Sequence, residues 1–152
     1  MLAIVRSAVL LSIAAALACA DAHDDVMEVF TKMAAALTQT NAEGRAISGN
    51  VAEFMSGVSK DMPDYDTLKN NVTALVNNAE ISSSIEPLTE DAAGDAYKID
   101  LDWVLEIRSL ERDGPLVRRR EVVHCELRQE KKHWKIISLK PVSFFAAANL
   151  GK

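Results

Sequence analysis

The amino-acid sequence predicts an α+β fold, with N-terminal helices packed on one face of a curved antiparallel sheet. Three observations lead to this. First, Tyr97–Ser109 alternates strictly: Tyr97, Ile99, Leu101, Trp103, Leu105 and Ile107 share one face, and Lys98, Asp100, Asp102, Glu106 and Arg108 the other, with Val104 the single exception. That is a long strand with one dry face and one wet face. Second, apolar residues between Val26 and Val76 recur at helical spacing. Third, the period changes from helical to two at Ala79, and no repeat, linker or low-complexity stretch divides the chain after residue 20. Helices first and a meander of strands second is the pattern of segregated α+β architecture.

The elements follow in order. Val26, Phe30, Met33 and Leu37 form one stripe of a helix expected over Asp25–Thr40, with Asp25 and Glu28 placed as a capping box at its start. Asn41–Gly44 breaks the pattern. Ile47, Val51, Phe54, Met55 and Val58 form a second periodic set, weakened by Gly49 and Gly57, so one helix or two short pieces fit. Met62-Pro63-Asp64 punctuates the chain, and Asp64 or Asp66 can cap a third helix carrying Leu68, Val72, Leu75 and Val76, closed by Asn77-Asn78. Glu80–Leu88 reads as a strand ended by Pro87, and Thr89–Asp95 as a turn. The long strand is followed by a hairpin loop at Glu111–Pro115, a strand over Arg118–Glu130, a tight turn at Lys131-Lys132 and a strand over His133–Ser143. Pairing Trp103 with Val123, Leu101 with Cys125 and Ile99 with Leu127 keeps the dry face dry, and a slip of one residue does not. Trp134, Ile136, Ile137 and Leu139 put apolar groups on both faces of the last strand, which predicts a central or doubly covered position. Phe144-Phe145 extends the apolar surface.

Composition bounds what the protein does. The chain of 152 residues is the length of one domain. A formal net charge of −5 argues against nucleic-acid binding, which needs a surplus of Lys and Arg on one face. Arg118–Arg120 and Lys131-Lys132 are explained as solvated strand ends and turns. Residues 1–20 read as an export signal: Arg6 is the basic start, Ala8–Leu17 the apolar stretch, and Ala18-Cys19-Ala20 the small-x-small cleavage pattern. Cleavage after Ala20 is favoured over lipidation of Cys19, because Ala16-Leu17-Ala18 fits the lipoprotein pattern poorly. The expectation is therefore an exported protein, periplasmic or secreted, with residues 21–152 as a single domain and no transmembrane segment in the mature chain. Cys125 is then the only cysteine left, no internal disulfide can form, and a small buried hydrophobe is the simplest role for it.

Asp100, Asp102, His124 and Glu126 fall on the wet face, where charged residues need no special explanation. His23, Asp24 and Asp25 lack a scaffold for ligating a metal. Asp64, Tyr65 and Asp66 can sit at a pocket mouth, with helix capping as the plainer role. Asn71-Val72-Thr73 matches a glycosylation sequon but lies inside a predicted helix. There is no Gly-rich phosphate loop, no His-Glu-x-x-His, no serine nucleophile elbow and no Cys-x-x-Cys. No catalytic residue, metal or cofactor is assigned.

The order of elements resembles the nuclear transport factor 2-like superfamily, whose members are cone-shaped α+β domains. Phe54-Met55, Met62–Asp66 and Leu68 look like the loop and second-helix region of its exported bacterial members, Ile81–Glu86 like their first strand, and Arg118–Val123 with Trp134–Ile137 like their last two. The resemblance spans residues 24–145. It implies a conical pocket between sheet and helices, and often a homodimer formed through the sheet. Phe30, Phe54, Tyr65, Leu101, Trp103, Val123, Cys125 and Trp134 are the residues expected to line that pocket. The superfamily holds isomerases, dehydratases and cyclases as well as non-catalytic members, and fold does not imply function. The expectation is a non-catalytic domain that binds a small apolar ligand or a protein partner; the alternative is a pocket enzyme of the isomerase, dehydratase or polyketide-cyclase kind. A cavity-facing acid or His bonded to a Tyr or a second acid would favour the enzyme.

Overall fold

The computed structural model describes residues 5–39, 43–44, 47–111 and 113–150, and for residues 5–20 the backbone alone. The side chains of residues 1–20, which the sequence analysis reads as an export signal, Asn41 and Ala42 of the first interhelical break, and Arg112 of the hairpin loop lie outside the described residues. The order of elements is α1 (Val5–Leu37), α2 (Val51–Ser56), α3 (Tyr65–Asn78), β1 (Ala79–Ala93), β2 (Ala96–Ser109), β3 (Leu116–Glu130), β4 (His133–Lys140) and a short 3-10 turn, Val142–Phe145. The strands form one antiparallel sheet in the order β1-β2-β3-β4. The helices pack on its inner face, and the architecture is α+β with a curved sheet, as the segregated periodicities predict.

The helix stripe of Val26, Phe30, Met33 and Leu37 is buried as expected. The helix start is not at Asp25, however, because α1 runs unbroken from Val5. No Gly or Pro interrupts residues 5–37 and much of the stretch is Ala and Leu, so nothing in it stops a helix. Asp25 and Glu28 are therefore interior, and Glu28 pairs with Lys32 one turn on at 2.5 Å. The second periodic set makes a helix of only six residues. Asn50 begins it, its Oδ1 accepting the backbone N–H of Glu53 at 3.0 Å. Ile47 lies outside the helix and is exposed. Gly49 carries the chain between α1 and α3, where a Cβ would come within 2.8 Å of Val76 Cγ1 and 2.9 Å of the Ala36 carbonyl. The next amide, Asn50 N–H, donates to that carbonyl at 2.8 Å and so closes the end of α1. In α3, Leu68, Val72, Leu75 and Val76 are buried. Asp64 stands at the cap position but makes no side-chain cap bond.

The sheet departs from expectation at three places, each with a physical cause. Pro87 does not end β1. It sits on an edge strand, where a missing N–H is tolerated, and the strand continues after a bulge at Leu88 to a turn at Gly94-Asp95. Gly94 has φ +65°, the conformation that a tight hairpin asks of glycine. The β2–β3 register is displaced by two residues: Trp103 faces Glu121, Leu101 faces Val123 and Ile99 faces Cys125. A shift of two preserves which side chains face inward, so the dry-face argument cannot distinguish the two registers. In β4 the apolar groups on both faces reflect a bulge rather than double cover. Glu126 pairs with Ser138 and Leu127 with Ile136, leaving Ile137 as the extra residue, and Leu139 returns to the inner face. The free edge of β4 is covered by Gly57–Ser59: Ile136 N–H donates to the Gly57 carbonyl at 2.9 Å, and Ser59 N–H to the Ile136 carbonyl at 2.8 Å. The last strand stops at Lys140, and the turn after it brings Phe144 and Phe145 into the core.

Candidate functional site

The inner face of the sheet is filled by the protein's own side chains. Trp103 is at the centre, with Phe30 edge-on at 6.3 Å between ring centroids, Phe145 at 5.0 Å and Phe144 at 6.4 Å. Phe54 packs edge-on against Phe145 at 5.3 Å. Such pairs add to area burial because ring edges are positive and faces negative. The indole N–H of Trp103 donates to Ser83 Oγ at 2.8 Å, so the polar atom of this core residue is paired. Of the eight residues expected to line a pocket, Phe30, Phe54, Leu101, Trp103, Val123 and Cys125 lie together in this core at 0–2% exposure. Burial pushes the Cys125 thiol far above its ordinary value, and the Asp100 charge adds to that, so it stays protonated and unreactive.

The other two, Tyr65 and Trp134, line separate clefts. The wider cleft, about 830 Å³, runs along α2 and α3. Val51, Met55, Val58 and Tyr65 give it apolar surface, and Lys60, Lys69 and Lys135 give it charge. The narrower cleft, about 370 Å³, lies between α1, the end of α2 and the start of β4. Trp134 lines it together with Asp25, Val29, Lys132 and His133. Ser56 and Lys135 border both clefts, and Lys135 Nζ donates to the Ser56 carbonyl.

One charged cluster was not legible in the sequence. Glu90 accepts the Tyr97 hydroxyl at 2.7 Å and contacts His23 Nδ1 at 2.9 Å. The bulge at Leu88 is the reason it can: before it odd-numbered residues pair inward, and after it Glu90 stands opposite Ile99. Reading residues 89–95 as a turn hid that switch. Burial would raise the Glu90 carboxyl, but the bonds to Tyr97 and His23, with the His23 charge, outweigh it and hold it below the usual carboxylate range. Arg119 was also missed as an inward residue; its guanidinium donates to the carbonyls of Phe144 and Ala146 and ties down the segment that closes the core.

The wet-face set is paired across the strands. His124 Nδ1 lies 2.6 Å from Asp100, which also accepts Thr89 Oγ1 at 2.8 Å. Asp102 takes two bonds at 3.0 Å from Arg120 Nε, and Lys98 stands 3.6 Å from Glu126. Asp100 is held below its usual range by the His124 and Thr89 bonds, and Asp102 by the Arg120 bond. These are exposed pairs of modest energetic weight. Among the described residues no group of three His, Cys, Asp or Glu side chains is placed to hold a metal ion, and no helix is long and apolar enough to cross a membrane.

Three solved structures share this architecture. A conserved protein from Planctomyces limnophilus DSM 3776 superposes with a TM-score of 0.61 at 8% identity, over 78% of this chain and 93% of its own. A hexachlorocyclohexane dehydrochlorinase, LinA type 2, gives 0.60 at 13% identity, over 81% and 85%. A candidate aromatic ring hydroxylase from Novosphingobium aromaticivorans gives 0.55 at 12% identity, over 76% and 83%. The fold is nuclear transport factor 2-like. Identities this low carry the fold and nothing finer. No family model matches the chain, and no curated relative does.

Proposed function

We propose that the protein is an exported, non-catalytic binding domain, and that it holds a small apolar ligand, or an apolar segment of a partner protein, in the wide cleft along α2 and α3. One observation carries this reading: the inside of the cone is occupied by its own aromatic side chains, whereas the wide cleft is open and has Val51, Met55, Val58 and Tyr65 along it. Its volume of about 830 Å³ falls within the roughly 300–1,000 Å³ common to ligand sites. The test is to purify the protein from its native source, extract it with organic solvent and identify what was retained by mass spectrometry. About one apolar molecule or one partner chain per protein is expected, with retention lost in Val51→Lys. Unchanged retention in that variant, or nothing retained, would refute the reading. Export rests on Arg6, the apolar run and Ala18-Cys19-Ala20. The mass of the exported chain should correspond to a start at Asp21, and an intact Met1 or a lipid on Cys19 would contradict it.

The enzyme reading has one observation in its favour, the carboxylate–tyrosine–histidine contact at Glu90. It is the weaker reading because Glu90 is held ionised by its partners, and a carboxylate below its usual range is a poor general base at neutral pH. An isomerase, dehydratase or cyclase activity abolished by Glu90→Gln would reverse the order. The homodimer that the resemblance implies would use the outer sheet face, where Val104 and Val122 lie among the paired charges. Sedimentation at two ionic strengths tests it, with a dimer weakened by salt as the expected result.

A further inference from the structure

The charges along the wide cleft are unequal once their existing partners are counted. Lys60, Lys69 and Lys135 line it, against the carboxylates of Asp61 and Glu130. Glu130 is already matched: its Oε1 accepts Ser59 Oγ at 2.7 Å and Arg128 Nη2 at 3.2 Å, and these bonds hold its carboxyl below the usual range. With Arg128 balancing Glu130, three ammonium groups stand against one unbalanced carboxylate, Asp61. Lys135 donates to the Ser56 carbonyl, a neutral partner that leaves its charge in place. Lys60 and Lys69 are exposed and form no ion pair with another described residue. On α3, Tyr65, Lys69 and Thr73 follow at intervals of four and all line the cleft, so the tyrosine ring and a lysine are neighbours on one helix face. That face runs about 12 Å from Tyr65 to Thr73, at roughly 1.5 Å per residue.

We infer that the ligand of the wide cleft is a single-chain amphiphile with an anionic head, of the long-chain carboxylate type. The inference rests on the wide-cleft reading proposed above and assigns the class of its ligand. The chain lies against Val51, Met55, Val58 and the Tyr65 ring, and the carboxylate is met by Lys60 and Lys69. Lysine suits this place, because its methylene stem extends an apolar wall while its ammonium group stays at the wet rim. A neutral apolar ligand gains area burial alone, whereas a carboxylate adds charge-assisted hydrogen bonds, which are roughly twice as strong as neutral ones. A volume of about 830 Å³ is toward the large end of ligand sites and leaves room for a chain, not only for a small acid.

The test is calorimetric titration of the protein with decanoate, decanol and decylammonium, which share one chain and differ in the charge of the head. Decanoate is expected to bind at least about tenfold more tightly than decanol, and decylammonium more weakly than either. Added salt should weaken decanoate and leave decanol unchanged. Lys60→Met combined with Lys69→Met alters two exposed positions and should bring decanoate down to the affinity of decanol. Val51→Lys adds a cation but interrupts the apolar wall, so it should abolish decanoate binding; mere attraction of anions to surface charge would instead grow stronger. Decanol binding as tightly as decanoate, or decylammonium binding most tightly, overturns the anionic head and leaves the apolar cleft standing. No binding of any of the three overturns both readings. Decanoate binding that survives the double lysine variant, or that Val51→Lys strengthens, overturns the inference.

Discussion

Replacing Phe145 by Ala tests whether the cone is filled from its C-terminal end. Phe145 is fully buried and stacks edge-on against Trp103, Phe54 and Phe144, with centroids at 5.0, 5.3 and 5.0 Å. Truncating a buried Phe costs about 3–5 kcal/mol from lost transfer energy and the cavity left behind. Losing three aromatic pairs puts the value at the upper part of that range, about 4–5 kcal/mol. For a domain of this length, that lowers the melting temperature by roughly 8–20 °C, at about 2–4 °C per kcal/mol. Urea unfolding should show a lower midpoint with an unchanged slope, the sign of a stability change without loss of compactness. A second readout bears on function. The new void would be lined by Trp103 and Phe54, and a dry apolar cavity of this kind takes up a molecule the size of benzene. Saturating benzene should therefore raise the melting temperature of Phe145→Ala and leave the parent protein unchanged. A loss below about 1 kcal/mol, or benzene stabilising the parent equally, would refute the claim that Phe145 occupies the cone.

Further outcomes follow from the same structure. Gly49→Ala should destabilise by about 1–3 kcal/mol, because its Cβ would meet Val76 and the Ala36 carbonyl at under 3 Å; thermal unfolding measures it. Asn50→Ala should cost about 1 kcal/mol by removing the cap on Glu53 N–H, and Asn50→Asp should recover most of it. Glu90 and Asp100 have carboxyls held below their usual range, so each contributes stability that is present above the unfolded pKa, about 4, and lost as pH falls through the lower folded value. Urea midpoints measured from pH 6 down to pH 3 should decline, and Glu90→Gln should flatten part of that decline.

The sequence showed which residues face inward better than where elements begin and end, and the difference is physical. Burial follows period, and period survives local error. Tyr97 through Ile107 alternates with Val104 as its one exception, and every one of its inward residues is buried, even though the neighbouring strand sits two residues from the expected register. What a period cannot show is an interruption of itself. The bulges at Leu88 and Ile137 each insert one residue, and each reverses the parity beyond it. The first placed Glu90 opposite Ile99, within reach of Tyr97 and His23, in a stretch whose acids and Gly had signalled a turn. The second made an edge strand look covered on both faces. Boundaries failed for a different reason: Asp25 carries a capping signal, but capping decides a helix start only where the preceding residues are poor helix formers, and here they are Ala-rich.

The candidate clefts were less legible than the fold because they are made by contacts distant in sequence. Trp134 reads as one more core aromatic in a strand pattern. Its place in a cleft beside α1 and the end of α2 comes only from the folded chain. Six of the eight expected lining residues pack together in the core, and Phe144 and Phe145, expected only to extend the apolar surface beyond the last strand, complete that packing. On the proposed binding reading, a cone filled by its own side chains leaves the flank for a ligand, where apolar and charged side chains meet at the ends of α2 and β4. Lys135 and Ser56 stand between the two clefts there, so a ligand that displaces the Lys135–Ser56 bond from one side alters the wall of the other.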